Sequence, residues 1–317
     1  MLNDHDRGRM EIMLVIMIKG LPDVRGNEKN TMYIVGNGFD LAHKILSKYK
    51  HFYCWLNLNG YEEFADCVQK IYPQLVNSID SLWCNFEKAL EEMKLSYLFK
   101  EYVNWPNNNW DDKEWEANIL QGDKRVKEIV NNIPILINEW AEQISVNVKP
   151  LFSGLSPESK YLSFNYTLTL ENVYHIPEIN ICHIHERVKN GTQLIVGHNS
   201  QLSTNNLPAN SDEEERAMAM FVETNNGLVK PVRQQIDKYR TFFNNLSNVD
   251  TVVVIGHSLA HVDLRYFCEV RRSIKENAKW LFSKYTSEDV NRVMAFVHPA
   301  KSYPNNIYNF DIFDINN

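Results

Sequence analysis

The sequence predicts an α/β fold with a mostly parallel, Rossmann-like sheet of about six strands and an inserted helical subdomain. Three observations carry this. Short apolar runs such as Thr251-Val-Val-Val-Ile255 have the composition of parallel strands covered on both faces. Segments with helical periodicity separate most of these runs, as a layered α/β architecture requires. Four of the runs end in glycine or polar residues, and open parallel sheets bind ligands at the carboxyl ends of their strands.

The first strand is expected at 31–36. It runs into Gly36-Asn37-Gly38 and then into the helix-compatible Phe39-Asp40-Leu41-Ala42-His43-Lys44. A strand, a glycine turn and a helix N-terminus together can take an anion, because the first helical N–H groups are unpaired and glycine lets a phosphate approach the backbone. The segment lacks the third glycine of a dinucleotide fingerprint and the lysine of a P-loop, so by itself it also reads as a tight turn.

About 120 residues of helical character follow. Trp83, Phe86, Leu90 and Met93 repeat at helical spacing, as do Ile137, Trp140, Ala141, Ile144 and Val148 after Pro134, a residue suited to a first turn. Residues 104–118, with Trp105, Trp110 and Trp115, read as a loop. Further strands are expected near 160–165, 180–185, 193–197, 251–256, 279–282 and 293–297. A second interruption spans 201–247, with Asp212 to Glu215 on a solvated helix face. The organisation expected is therefore an N-terminal arm at 1–28, an α/β nucleotide-binding core at 29–49 and 151–317, and a helical subdomain at 50–150.

Composition narrows the function classes. A net charge of −7 argues against a general nucleic-acid binder, which shows a basic face. The five cysteines are scattered without a C-x-x-C pair, so neither a zinc ribbon nor a disulfide framework is expected, and a cytoplasmic setting fits. The run Ile12 to Ile18 is only seven residues long, too short to span a bilayer. Neither nucleic acid nor membrane is an expected partner, and no metal is expected.

The four strand-end clusters are Gly36-Asn37-Gly38-Phe39-Asp40, Phe164-Asn165-Tyr166-Thr167, His183-Ile184-His185-Glu186 and Gly256-His257-Ser258-Leu259. Each alone has a structural reading: Asn165 as a turn former, His185 as a core histidine, Ser258 as a helix cap. Four in one chain favour a shared ligand site. An asparagine amide can donate to and accept from a ligand hydroxyl or a water, and a histidine can remove a proton from either. His183 is expected to be structural, on the opposite face of its strand from His185.

Two rival chemistries draw on the same residues. A metal hydrolase would use His183, His185, His198, His257, His261 and Asp263. An acyl hydrolase would read Gly256-His-Ser258-Leu-Ala260 as a nucleophile elbow, with His298 as base.

The ordered set Gly36-Asn-Gly-Phe-Asp-Leu-Ala-His, Trp83-x-x-Phe-Glu87, Phe164-Asn-Tyr-Thr with Glu171, His183-Ile-His185 and Gly256-His-Ser-Leu-x-x-x-Asp263 resembles the AbiH family of bacterial abortive-infection proteins, over residues 31 to about 270. More remotely, the same order is similar to the sirtuin superfamily. That resemblance implies NAD as substrate or ligand, with Gly36, Asn37, Gly38, Phe39, Asp40, Thr167, Gly256, His257 and Ser258 contacting it. It also implies Asn165 beside the nicotinamide ribose and His185 as the catalytic histidine.

The departures are specific. Glu186 stands in place of a glycine, Lys44 replaces a glycine of the first loop, and Tyr49 falls where an arginine follows that loop. The cysteine pairs of the sirtuin zinc module have no counterpart, so the resemblance points to NAD glycohydrolysis or to a non-catalytic nucleotide sensor, not to deacylation of a protein. The partners to expect are NAD or a related dinucleotide, a phage-derived trigger and further copies of the chain.

Overall fold

The computed structural model describes residues 30–72, 83, 85–103, 111–189, 191–284, 291–293, 296 and 307–311. Six strands, β1 Thr31–Val35, β2 Lys160–Ser163, β3 Ile181–His183, β4 Thr251–Ile255, β5 Lys279–Lys284 and β6 Ile307–Asp311, form one sheet. Their order is β3-β2-β1-β4-β5-β6, and every pair is parallel. The order reverses between β1 and β4, which makes that pair the topological switch point of a doubly wound sheet. The α/β, Rossmann-like expectation holds.

Among the described residues the helices are α1 Asn37–Ala42, α2 Tyr49–Leu58, α3 Glu62–Ile71, α4 Phe86–Ala89, α5 Leu95–Tyr102, α6 Asp112–Glu142, α7 Thr169–Tyr174, α8 Asp212–Asn226, α9 Val232–Lys238, α10 Arg240–Asn244 and α11 Leu264–Ser273. The chain divides into two compact units. The described residues within 1–46, 144–187 and 232–317 form the unit that holds the sheet, and those within 47–143 and 188–231 form a helical unit. None of the described helices is long and apolar enough to cross a membrane.

The apolar strands are continuous because both faces are covered. Met32, Ile34, Leu162, Val252 and Val254 enter one core cluster with Phe243, Phe267 and Val270. Their chain neighbours Tyr33, Val35, Tyr161, Val253 and Ile255 enter the other, with Phe39, Phe152 and Leu170. Each fully buried aliphatic side chain contributes about 1.5–3 kcal/mol, so a strand with polar residues on either face would not hold this position.

Four expectations change. Residues 193–197 join no sheet, and the adjacent His198 makes only an isolated bridge to Val229. The run at 293–297 contains helical residues at 291–293 and 296, and the sixth strand lies at Ile307–Asp311. Short apolar runs carry no period that separates helix from strand.

In the supposed loop at 104–118, residues from Asp112 onward are helical. Asp111 caps α6 by accepting from the N–H groups of Lys113 and Glu114 (both 2.9 Å), while Glu114 accepts from the Asp111 N–H (3.0 Å). Pro134 then lies inside α6, not in a first turn. Its missing N–H removes one helical bond, but buried Val126, Val130, Ile133, Ile137 and Trp140 hold the segment in place, and Ile144 and Val148 lie past its end. Residues 1–28, Trp105, Trp110 and His298 lie outside the described residues.

Candidate functional site

The loops after β1 and β4 meet backbone to backbone. The Gly36 N–H donates to the Ile255 carbonyl (3.0 Å), and the Gly38 N–H donates to the Gly256 carbonyl (2.8 Å). A Cβ on Gly38 would sit 2.6 Å from Gly256 Cα, and one on Gly36 would sit 2.8 Å from the Gly256 carbonyl oxygen. Gly256 itself has φ +65. These glycines are required by the clasp between two loops, whether or not a phosphate approaches them. α1, with six residues, is a short source of helix dipole. Asn37 at its start is exposed, while Phe39 is fully buried and stacks on Phe152 at 5.2 Å.

Asp40 lies beneath this turn, 1% exposed. Its carboxylate accepts from Thr167 Oγ1 (2.6 Å) and Thr169 Oγ1 (2.8 Å) and from the side chain of Asn165. Burial pushes its pKa up to about 6, against the lowering effect of those three donors and of the charge on His183. The sign of the pH dependence follows. A carboxyl whose folded pKa is raised stabilises the fold below its unfolded pKa of 3.8, and that contribution is lost as pH rises through about 6. At 1.36 kcal/mol per pH unit this amounts to about 3 kcal/mol. Asp40→Asn is therefore expected to be more stable than wild type at pH 7.5, and to lose that advantage by pH 4. Urea unfolding at both pH values checks this; an equal difference at the two would assign the change to something other than this proton.

Asn165 is itself nearly buried, at 7% exposure. Its backbone N–H donates to Ser163 Oγ (3.2 Å), and its carbonyl faces His183 Nδ1 at 3.2 Å. Its side-chain oxygen Oδ1 has no hydrogen-bond partner among the described residues. His183 Nε2 lies 2.9 Å from Glu171 Oε1, so both of its ring nitrogens face acceptors. Arg187 donates to the same Glu171 oxygen (2.7 Å) and also pairs with Glu178. Burial acts to raise the Glu171 pKa, but the hydrogen bond and charge of His183 and the hydrogen bond from Arg187 outweigh it and hold the carboxyl below its ordinary range.

His43 is a satisfied core residue. The N–H groups of Leu151 and Phe152 donate to the Tyr174 hydroxyl, which in turn donates to His43 Nε2 (2.6 Å), and His43 Nδ1–H donates to the Phe39 carbonyl (2.7 Å). Burial lowers its pKa, in keeping with a neutral ring.

His185 belongs to a second cluster. Its Nε2 is 3.4 Å from Asp263 Oδ1, and His257 Nε2 is 3.4 Å from Asp263 Oδ2, so one carboxylate lies between two imidazoles. The Leu259 N–H donates to His257 Nδ1 (2.9 Å), which leaves the hydrogen of a neutral ring on Nε2, toward Asp263. Phe164 packs edge-on against both rings, at 5.3 and 4.3 Å, and Tyr266 packs against His185 at 5.6 Å.

His183 and His185 thus have different surroundings, but strand alternation is not the cause, since residues two apart on a strand share a face. β3 ends at His183. The Glu186 N–H turns back onto the His183 carbonyl (3.1 Å) with Glu186 at φ 63, and this turn redirects His185.

The structure therefore joins Asn165 and Thr167 to Asp40, and His185 to His257 through Asp263. Thr169 and Arg187 complete these clusters without having been singled out by the sequence, and Asp263, named there as a metal ligand and in the spacing Gly256-His-Ser-Leu-x-x-x-Asp263, joins two imidazoles instead. Ser258 is exposed, and the chain leaves β4 through residues 256–260 before a 3-10 turn at His261–Asp263, not through the direct strand-to-helix turn of a nucleophile elbow. Among the described residues, no three His, Cys, Asp or Glu side chains are grouped to hold a metal ion.

A family model described as "Bacteriophage abortive infection AbiH" matches residues 32–284, a span that contains both clusters. No curated protein and no solved structure matches the chain.

Proposed function

The chain belongs to the AbiH family of bacteriophage abortive-infection proteins, and from that premise we propose that it binds NAD and hydrolyses the nicotinamide–ribose bond. One observation carries the reading: a buried Asn165 amide oxygen without a hydrogen-bond partner among the described residues, at the end of β2, beside the switch point of a parallel sheet, where nucleotides bind in doubly wound folds. Buried polar atoms are nearly always satisfied, so an exception calls for a ligand or a water.

The chemistry suits these residues. Nicotinamide leaves from a cationic nitrogen, so the bonding electrons return to the pyridine ring without a proton. Water adds to C1 of the ribose and gives its proton to a base, releasing nicotinamide, ADP-ribose and a proton. The protein needs to orient the ribose and stabilise an oxocarbenium-like centre. Asn165 orients a hydroxyl, and His185, held by Asp263, is the base or polar stabiliser. His257 has both ring nitrogens engaged within the protein, so its part is to steady Asp263.

A second reading, a nucleotide sensor without turnover, draws on the separation of Asn165 and His185 into two clusters. Purified protein with NAD, followed by chromatography of free nicotinamide, separates the two. Because an enzyme that empties its host of NAD must be held off until infection, the same measurement belongs in phage-challenged cells. Nicotinamide release supports the hydrolase, binding without release in both settings supports the sensor, and no binding at all rejects both.

A further inference from the structure

We infer that Glu171 is the positioning residue for His185, because one of its carboxylate oxygens holds the chain on both sides of that histidine. This rests on the reading of His185 as the base and adds what fixes its place. Glu171 Oε1 lies 2.9 Å from His183 Nε2 and accepts from Arg187 Nη1 at 2.7 Å. His183 stands two residues before His185 in the chain, and Arg187 two after it. An ionised carboxylate can only accept, so both side chains are drawn to the same oxygen. Residues 183–187 thus form a loop that a side chain of α7 closes, with His185 at its centre.

The loop has little freedom left. At its start the Ile184 N–H donates to the Ser163 carbonyl (3.0 Å), and His183 Nδ1 faces the Asn165 carbonyl at 3.2 Å. The Glu186 N–H donates back to the His183 carbonyl (3.1 Å). Glu186 itself has φ 63, a left-handed conformation disfavoured for any residue with a Cβ. Its carboxylate accepts from Lys238 and, at 3.5 Å, from the Tyr239 hydroxyl. Such a conformation persists only where the surroundings over-determine it, and it is found most often at functional sites. Phe164 and Tyr266 then pack edge-on against the His185 ring, and Asp263 Oδ1 faces its Nε2 at 3.4 Å. Glu171 sets where the ring leaves the backbone, and these three set its direction.

Stability is a weak reason for this arrangement. Glu171 and Arg187 are both largely buried, and the cost of taking two charges out of water offsets much of the gain from pairing them. What a shared oxygen supplies is one geometry, as the groups behind a reacting side chain must.

The test measures kcat and KM for NAD together with the imidazole NMR signals of His185, assigned by their loss in His185→Ala. Glu171→Ala is expected to lower kcat about 10- to 100-fold, the effect of misplacing a reacting group by about 1 Å. KM is expected to change by less than about threefold, since the lost contact acts on the transition state, and the His185 signals are expected to shift or broaden. Glu171→Gln keeps an oxygen that can accept from both partners and is expected to recover kcat to within about fivefold of wild type. Arg187→Met, for use should Glu171→Ala fail to fold, removes one of the two ties and is expected to give a smaller loss with the same signature.

A kcat for folded Glu171→Ala equal to that of wild type, or His185 signals that do not move, overturns the inference. So does a loss of activity that only follows the fraction of folded protein, because a role in folding alone leaves the folded molecules fully active. Wild type that releases no nicotinamide, purified or in phage-challenged cells, rejects the hydrolase reading. The His185 signals of Glu171→Ala and Arg187→Met then decide this inference by themselves.

Discussion

Asn165→Ala and His185→Ala are each expected to lower NAD turnover by about two to four orders of magnitude, the usual loss when positioning or general-base help is removed. NAD binding should fall far less in His185→Ala than turnover does, because under the proposed mechanism the base would act on the water or the ribose hydroxyl in the transition state. The two variants have different side effects. Asn165→Ala takes one donor from the buried Asp40 carboxylate and so costs stability of about 1–3 kcal/mol. His185→Ala empties the space between Phe164 and Tyr266, with the cost of a small cavity. Both must therefore be compared with wild type at a temperature where unfolding assays show each to be folded. The biological comparison is NAD content during phage challenge in cells carrying wild type or Asn165→Ala. Equal NAD in both, with protection intact, would mean that the protein does not act by hydrolysing NAD.

Gly256→Ala is expected to be the most destabilising single-methyl change in the sheet unit. The added Cβ would lie 2.2 Å from the Phe39 backbone nitrogen and 2.4 Å from the Gly38 carbonyl carbon, at a φ of +65. Left-handed backbone costs a non-glycine residue about 1–2 kcal/mol. Forcing apart two loops already joined by the Gly38-to-Gly256 hydrogen bond adds about 1–3 kcal/mol more. The sum, about 2–5 kcal/mol, is a large share of the 5–15 kcal/mol that stabilises a typical domain, and it corresponds to a fall in Tm of about 10 °C. Gly154→Ala is the control: its φ is +97, but nothing lies within 4 Å of the added methyl, so only the backbone cost applies. Equal Tm shifts for the two variants would show that loop contact contributes nothing and that backbone strain accounts for both. Because Gly38 carries the same clasp, a loss of nucleotide binding in Gly38→Val would report on packing before it reported on phosphate approach.

The two clusters place different demands on the fold. The Asp40 cluster holds a carboxylate that burial disfavours, so its geometry is kept at a cost in stability at neutral pH, the pattern expected where function and stability compete. The His185–Asp263–His257 cluster is walled by Phe164, Tyr266 and Phe267, and aromatic packing fixes its rings.

The sequence by itself marked Thr31–Val35 and Thr251–Ile255 as strands, since each is apolar after its first residue and can only be covered on both faces, but it did not mark the sixth strand at Ile307–Asp311. It also marked the strand ends, because Gly36, Gly38 and Gly256 interrupt runs of β-forming residues, and Asn165 and His185 follow others. Only the tertiary structure decided the strand order, and with it which strand ends are neighbours. Asp40 meets Thr167 across 127 residues of chain, a pairing fixed by β1 lying next to β2, which no local pattern encodes. Asp263 lies between two imidazoles from separate strand ends for the same reason. A chain pattern records which faces must be buried, but a hydrogen-bond partner is set by sheet order and by turns such as that closed by the Glu186 N–H on the His183 carbonyl, which takes His185 out of the strand to which its spacing assigned it. Periodicity is a local property, and the site is built from contacts that are not.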